Sequence, residues 1–398
     1  MTPPAQLPRR TSLLLNVAHA LDHLFLLIFA AAVASISLDF GVERWEDLMP
    51  YGVGAFFLFG LGSLPAGRLG DLWGRRQMML VFFFGIGIAS VLASLTQGPW
   101  QLAAAMVLIG AFSSIYHPVG IPMLVQHARN PGATIGINGL AGNLGVAGAA
   151  LLTGYLVELF NWRAAFIVPG LISLLCGFLF ARYAPAEIEP PAKRSQKAAV
   201  SLPPGMLARA FFVMTAAAVT GSLLFNFTTN GNGQLLAERL QGTVDDPSTL
   251  GVLLAVVYTV ASFAQLVVGR LIDRMSLKSL YLSIVLAQAP VLALAAYAQG
   301  WVLYGLLVLS MIMVFGAIPF TDAMIVRYVD DRMRSRVAGM RLAVSLGISS
   351  IAVWLLGPVV KSGGFTTLLL SMAVISLCTA AVVLFLPSER AAHAGVSR

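Results

Sequence analysis

Charge is what this 398-residue sequence has least of, 11% against about 25% in an ordinary globular chain. So little charge cannot coat a soluble surface of this size, which excludes a water-soluble enzyme and makes lipid the expected outer solvent. Cysteine is nearly missing too. Cys176 and Cys378 lie inside apolar runs, which excludes a disulfide framework or a cysteine zinc site and reads both as small packing residues. No glycine-rich phosphate loop followed by Lys and Ser or Thr occurs, so ATP-driven transport by this chain alone is not expected. A nucleophilic triad, a zinc signature and a cofactor box are missing as well, and neither enzyme activity nor a cofactor is expected.

Apolar residues make up 58% of the chain, with mean hydropathy +0.85. They form twelve continuous runs, 12–37, 47–66, 77–95, 99–126, 133–160, 162–183, 209–236, 249–272, 278–298, 301–327, 337–361 and 364–386. Each approaches the roughly 20 residues that cross the hydrocarbon core as helix. Barrel strands would be shorter and would alternate polar with apolar, so helices follow. The first run contains His19, Asp22 and His23 and lacks a small-residue cleavage site, so it is expected to stay in the mature protein. One long polar connection, 184–208, carries Pro185, Pro190, Pro191, Lys193, Arg194, Lys197, Pro203 and Pro204 and reads as a linker between two six-helix halves, 1–183 and 209–398.

The formal charge of +8 raises nucleic acid as a partner, and its distribution removes it. With the N-terminus in the cytoplasm, 21 of the 25 Lys and Arg fall inside and only Arg44, Arg163, Arg239 and Lys361 outside, as the positive-inside rule requires. Asp39, Glu43, Glu46, Asp47, Glu158, Glu238, Asp245 and Asp246 all fall outside. Trp45, Trp100, Trp162 and Trp301 lie at outer ends, where an interfacial aromatic belt is expected. Both termini are therefore expected in the cytoplasm, in a multi-pass protein of the cell inner membrane.

Gly67-Arg68-Leu69-Gly70-Asp71-Leu72-Trp73-Gly74-Arg75-Arg76 and Gly269-Arg270-Leu271-Ile272-Asp273-Arg274-Met275-Ser276-Leu277-Lys278 lie 202 residues apart, matching in Gly, Arg, Leu and Asp. Internal duplication into parallel halves is the simplest account. The first copy resembles the G-x-L-x-D-x-x-G-R-[RK] signature of the major facilitator superfamily at every specified position; in the second, Ser276 replaces the later glycine. The resemblance implies an all-α membrane fold of twelve helices in two pseudo-symmetric halves. It implies a gating role for Gly67, Asp71, Gly74, Arg75, Arg76, Gly269 and Asp273, with Asp71 accepting from a helix N-terminus or pairing with Arg75 or Arg76 at a cytoplasmic turn. Three shorter patches, His19–His23, Gly110–Pro118 and Gly139–Gly145 including Asn143, resemble fosmidomycin-resistance-type exporters. Val119 departs from the acidic residue usual in that branch, Met106 stands where many drug exporters carry an arginine, and the fifth run lacks their Gly-Pro.

Ionisable groups inside a membrane span are costly and normally face a cavity or a partner. At about 100° per residue, Asn16, His19, Asp22 and His23 form one polar stripe, and a histidine beside a carboxylate can pass a proton near neutral pH. Ser113, Tyr116 and His117 share a face before Pro118, and His117 can bind an anion or pass a proton. Asn226, Thr229, Asn230, Gly233 and Gln234 line one side of the seventh run. Asp322 lies near the position that the repeat gives His117, three residues beyond it, and Arg341 either neutralises Asp322 or Asp22 or snorkels to the inner interface. For each stripe the plainer alternative is a satisfied polar network that fixes packing, or, for the seventh run, a helix end hydrated by water. If the first, fourth, seventh and tenth helices line the cavity, as the resemblance implies, these stripes fall on those four.

The expected activity is secondary transport of a small organic compound by alternating access: proton-coupled export by a monomer in the lipid bilayer, with Asp22, His19, His23 and Asp322 carrying the proton. Proton-coupled uptake of an organic anion, or a receptor of the same fold, are the alternatives. The orientation is directly testable. Single cysteines at Ser195 and Asp245 in a cysteine-free background should label differently with an impermeant reagent on intact cells, Asp245→Cys reacting and Ser195→Cys not; the reverse would invert the topology.

Overall fold

In hydrocarbon every backbone N–H and C=O must be satisfied within the chain, and the computed structural model meets this with helices. It describes residues 7–125, 131–186, 204–272, 274–321 and 331–386. In order these give α1 Arg9–Asp39, α2 Trp45–Leu48, a 3-10 turn Met49–Gly52, α3 Val53–Leu61, α4 Ser63–Trp73, α5 Arg75–Ser94, α6 Pro99–Ser113, a π turn Tyr116–Gly120, α7 Ile121–Val125, α8 Pro131–Leu159 and α9 Trp162–Tyr183. After the connection come α10 Pro204–Arg239, α11 Pro247–Ile272, α12 Leu277–Tyr297, α13 Gly300–Ala317 and α14 Asp331–Val383.

Ten stretches of the described residues are long and apolar enough to cross a membrane; the pair Trp45–Leu61 and Ser63–Trp73, bent by 44°, makes an eleventh. The last stretch, Ala343–Val383, has 41 residues, twice a bilayer's thickness of helix. Gly364 breaks it at φ 68°, where the sequence places a boundary, so the architecture is all-helical and consistent with twelve spans. The signature differs from its expected form. Gly67 to Trp73 are helical, Asp71 lies in the last turn of α4, and only Gly74, at φ 105°, makes the turn.

Close approach of backbones sets the packing. A Cβ on Gly145 would run into the Ala20 carbonyl, which seats α8 on α1, and one on Gly110 would meet the Ala55 carbonyl of α3. Gly154 and Gly251 bring α8 against α11, and Gly357 admits the Glu46 carbonyl to α14. α5 and α9 add hydrogen bonds from Ser90 Oγ to Phe166 O (2.7 Å) and from Ser173 Oγ to Phe83 O (2.8 Å). Small residues suit lipid-embedded interfaces, where packing rather than the hydrophobic effect drives association.

One end of the bundle gathers the acidic residues. The four cations that the sequence puts outside each meet a carboxylate there: Arg44 with Glu46 (2.6 Å), Arg163 with Asp39 (2.7 Å), Arg239 with Glu238 (3.1 Å) and Lys361 with Asp47 (2.7 Å). Lys361 and Asp47 join regions 314 residues apart. Glu158 accepts from the Ser248 backbone N–H at 2.9 Å. Asp246 caps α11, and the bonds it accepts from Thr249, with Ser248 adding a third, hold its carboxyl below the usual carboxylate range. The aromatic belt needs a correction. Trp100 and Trp301 are exposed, but Trp162 is buried and donates to Asp39 (3.2 Å), and Trp45 stacks on Phe365.

The glycines of α8 divide into two kinds. Gly142 and Gly145 leave no room for a side chain, whereas among the described residues nothing lies within 4 Å of a Cβ on Gly136 or Gly139. Gly145→Ala is therefore expected to cost about 1–3 kcal/mol through overpacking, and Gly139→Ala to leave the melting temperature in detergent unchanged or higher. Equal loss in both would refute this packing.

Candidate functional site

α1 presents its polar stripe to α6 and α8, and the three meet in one cluster. Asp22 has 0% exposure, and its Oδ2 lies 3.5 Å from His117 Nε2. Neither carboxylate oxygen has a well-formed hydrogen bond, although the buried Ser113 hydroxyl lies against it. His117 reaches this position because α6 stops at Ser113 and the chain passes through a π turn at Pro118, which has no N–H to give a regular helix.

His19 is held from several sides. Its Nδ1 donates to the Asn138 carbonyl at 2.7 Å, its ring stacks on Tyr116 with centroids 4.7 Å apart, and a Cβ on Gly142 would strike its imidazole at 2.6 Å. A carbonyl only accepts, so Nδ1 carries the hydrogen and a neutral ring keeps its lone pair at Nε2. That Nε2 faces His23 Nε2 at 3.2 Å. The Asn138 amide donates to Asn16 Oδ1 (2.9 Å) and to the Tyr116 hydroxyl (2.7 Å). Asn138 was not among the residues singled out from sequence; it sits in a glycine-rich helix whose next amide, Asn143, is five residues on and off its face.

The structure thus unites Asn16, His19, Asp22, His23, Ser113, Tyr116 and His117. Asn143 is buried on α8, with no hydrogen bond to the cluster among the described residues. On α10, Asn226 and Asn230 donate to carbonyls of their own helix, Ser222 O (2.9 Å) and Asn226 O (3.0 Å). Asn226, Thr229, Asn230 and Asn232 are buried and Gln234 half-buried, so the stripe is not a hydrated helix end. Arg341 is half-buried, donates to Thr321 Oγ1 and lies within electrostatic range of His117. Asp322 and Asp273 lie outside the described residues.

The signature residues are not arranged in the ion pair that was one of the two expectations for Asp71. Arg75 donates to Pro122 O (3.3 Å), and Arg76 to Ala184 O (3.0 Å) and Ala181 O (2.7 Å). No ion pair joins Asp71 to either arginine among the described residues, because Asp71 ends a helix and the arginines begin the next across Gly74. Gly67 and Gly70 receive Pro118 and Val119 of the π turn, which explains an apolar residue at 119. Gly269 meets nothing within 4 Å.

Replacing Asn138 by Leu would strip the donor from both Asn16 and Tyr116. The expected cost is about 1–3 kcal/mol, the penalty for buried polar groups left unpaired. Tyr116→Phe should add less in that background than alone, and a melting-temperature double-mutant cycle that came out additive would contradict the network.

The model of the Major Facilitator Superfamily matches residues 15–237 and 221–398. The probable actinorhodin transporter of Streptomyces coelicolor is 31% identical over 38% of this chain, which is 27% of that relative's length. Multidrug resistance protein MdtG of Escherichia coli is 24% identical over 83% of this chain and 80% of its own. Among solved structures, a D-xylose–proton symporter superposes with TM-score 0.76 at 14% identity, over 95% of this chain and 98% of that one. A bacterial homologue of the human lysosomal transporter Spinster, inward-facing and occupied, gives 0.72 at 16%, over 94% and 93%. With the signature at 67–76, helices that can cross a membrane and a family match along nearly the whole chain, the protein belongs to the Major Facilitator Superfamily.

Proposed function

We propose that this protein exports a small organic compound across the cell inner membrane by alternating access, its two halves, 1–183 and 209–398, rocking about the cluster while protons flow inward. The observation that carries the reading is Asp22, a wholly buried carboxylate 3.5 Å from His117 on another span. A bare carboxylate out of water costs several kcal/mol, so its charge has to be cancelled at each step of a cycle, by a proton or by a cationic neighbour. In an exporter, release of that proton to the cytoplasm would precede the substrate-loaded transition. The three patches that resemble fosmidomycin-resistance-type exporters all contribute to the cluster's walls: His19 to His23, Ser113 to Pro118, and Gly142 behind His19. The names of the relatives, an antibiotic transporter and a multidrug resistance protein, fit export. The charge distribution along the sequence supports cytoplasmic termini.

His117 and Arg341 together also suit an organic anion, which is the basis for uptake as the second reading. The sign of the response to an imposed pH gradient in oriented vesicles separates the two.

Asp22→Asn mimics a carboxyl that never releases its proton. The variant is expected to fold and bind substrate, to exchange substrate across proteoliposomes, and to lose accumulation driven by a pH gradient. Full gradient-driven accumulation by this variant would remove Asp22 from the coupling mechanism.

A further inference from the structure

Three imidazoles, His19, His23 and His117, each place a ring nitrogen within 4.8 Å of the others. The geometry points to a binding site for a divalent first-row transition-metal ion of the zinc class, held by these three rings beside the Asp22 carboxylate. Neither the family nor the export reading requires such a site.

The donor set and its spacing both fit. Two nitrogen ligands at the usual Zn–N distance around a tetrahedral centre stand about 3.3 Å apart. His19 Nε2 and His23 Nε2 are 3.2 Å apart, and His117 Nε2 is 3.5 Å from Asp22 Oδ2. His19 and His23 are four residues apart on one helix, the spacing at which two histidines on a helix face share one ion. A rotation of the half-buried His117 side chain closes the third position.

The surroundings look after the ligands in the way a metal site requires. His19 gives its Nδ1 hydrogen to the Asn138 carbonyl, which fixes the tautomer and leaves Nε2 free to coordinate. Tyr116 stacked on that ring, the Asn138 amide on the Tyr116 hydroxyl, and the bare Gly142 backbone behind the imidazole keep it in one orientation. His23 and His117 are only half-buried, so an ion has a way in. The Asp22 carboxyl stands beside them as an oxygen donor, 3.5 Å from His117 Nε2.

The ligand class follows from these donors. Imidazoles with one carboxylate suit Zn²⁺, Co²⁺ and Ni²⁺, whereas Mg²⁺ and Ca²⁺ need shells of oxygen and copper(I) favours sulfur. An ion here would tie α1 to the π turn.

The test uses the full-length protein in detergent, without a polyhistidine tag, titrated with Co²⁺ and Zn²⁺ by calorimetry and by visible absorption for Co²⁺. One equivalent of Co²⁺ with the strong visible bands of a tetrahedral centre is expected, displaced by Zn²⁺ and not by a thousandfold excess of Mg²⁺. His23→Gln and His117→Gln should each lower the affinity tenfold or more, and His127→Ala with His393→Ala should not change it. If His23→Gln or His117→Gln does not fold, the stoichiometry and band intensity of the unmodified protein still decide. Absence of a one-to-one complex, unchanged affinity in both ligand variants, or loss of binding on removing His127 and His393 would overturn the site.

Discussion

A carboxylate that meets no water, placed in the first membrane-crossing helix, constrains the rest of the structure. Hydrocarbon cannot solvate Asp22, so its neighbours must. That requirement accounts for the irregular features around it. The π turn interrupts the fourth span at the level where His117 has to face Asp22. The α8 backbone approaches α1 because Gly145 and Gly142 have no side chains, and this approach delivers the Asn138 carbonyl to His19. The bundle's local geometry brings other polar side chains against the buried carboxyl.

The same geometry links two features that sequence alone leaves separate. α4 carries the superfamily signature, and its Gly67 and Gly70 lie against Pro118 and Val119 of the turn that holds His117. A displacement of α4 toward the turn meets hard contacts at once, since a Cβ on Gly70 would already stand 2.8 Å from Val119. Arg75 and Arg76 strengthen the same unit by gripping the carbonyls of Pro122, Ala181 and Ala184 instead of Asp71. The signature is therefore a mechanical neighbour of the titratable cluster, one residue contact away from His117.

Much of this was legible in the chain. Helical class, spans and the break at 364 follow from the length of apolar runs, because lipid allows few other solutions. The stripe on α1 was legible for the same reason: His19, Asp22 and His23 have no business on an apolar helix unless something faces them. Asn138 was not, since an isolated amide among glycines carries no periodic signal, and one of its contacts, the carbonyl that receives His19, is one any residue would supply. The three-histidine arrangement was hidden because His117 is remote in sequence from α1 and no spacing rule connects them. The signature, placed at a cytoplasmic turn from the sequence, is helix up to Trp73, and the turn is confined to Gly74.

How a carrier can release so tightly packed a centre is a question of magnitudes. The acidic end of the bundle is joined by Lys361 with Asp47 and by Glu158 with the Ser248 amide, groups that are partly open to solvent at 43% for both members of the lysine pair. Exposed pairs of this kind contribute about 0–1 kcal/mol each, so together they bias an equilibrium without fixing it. The glycine contacts of Gly154 with Gly251 and of Gly357 with the Glu46 carbonyl add fit and little directional strength. Cancelling or restoring the charge on Asp22 involves several kcal/mol, enough to reverse such a bias. If Asp22 carries the proton, as proposed, the weak end and the costly centre are matched: the deep cluster would decide which state is favoured, and the surface contacts would yield to it.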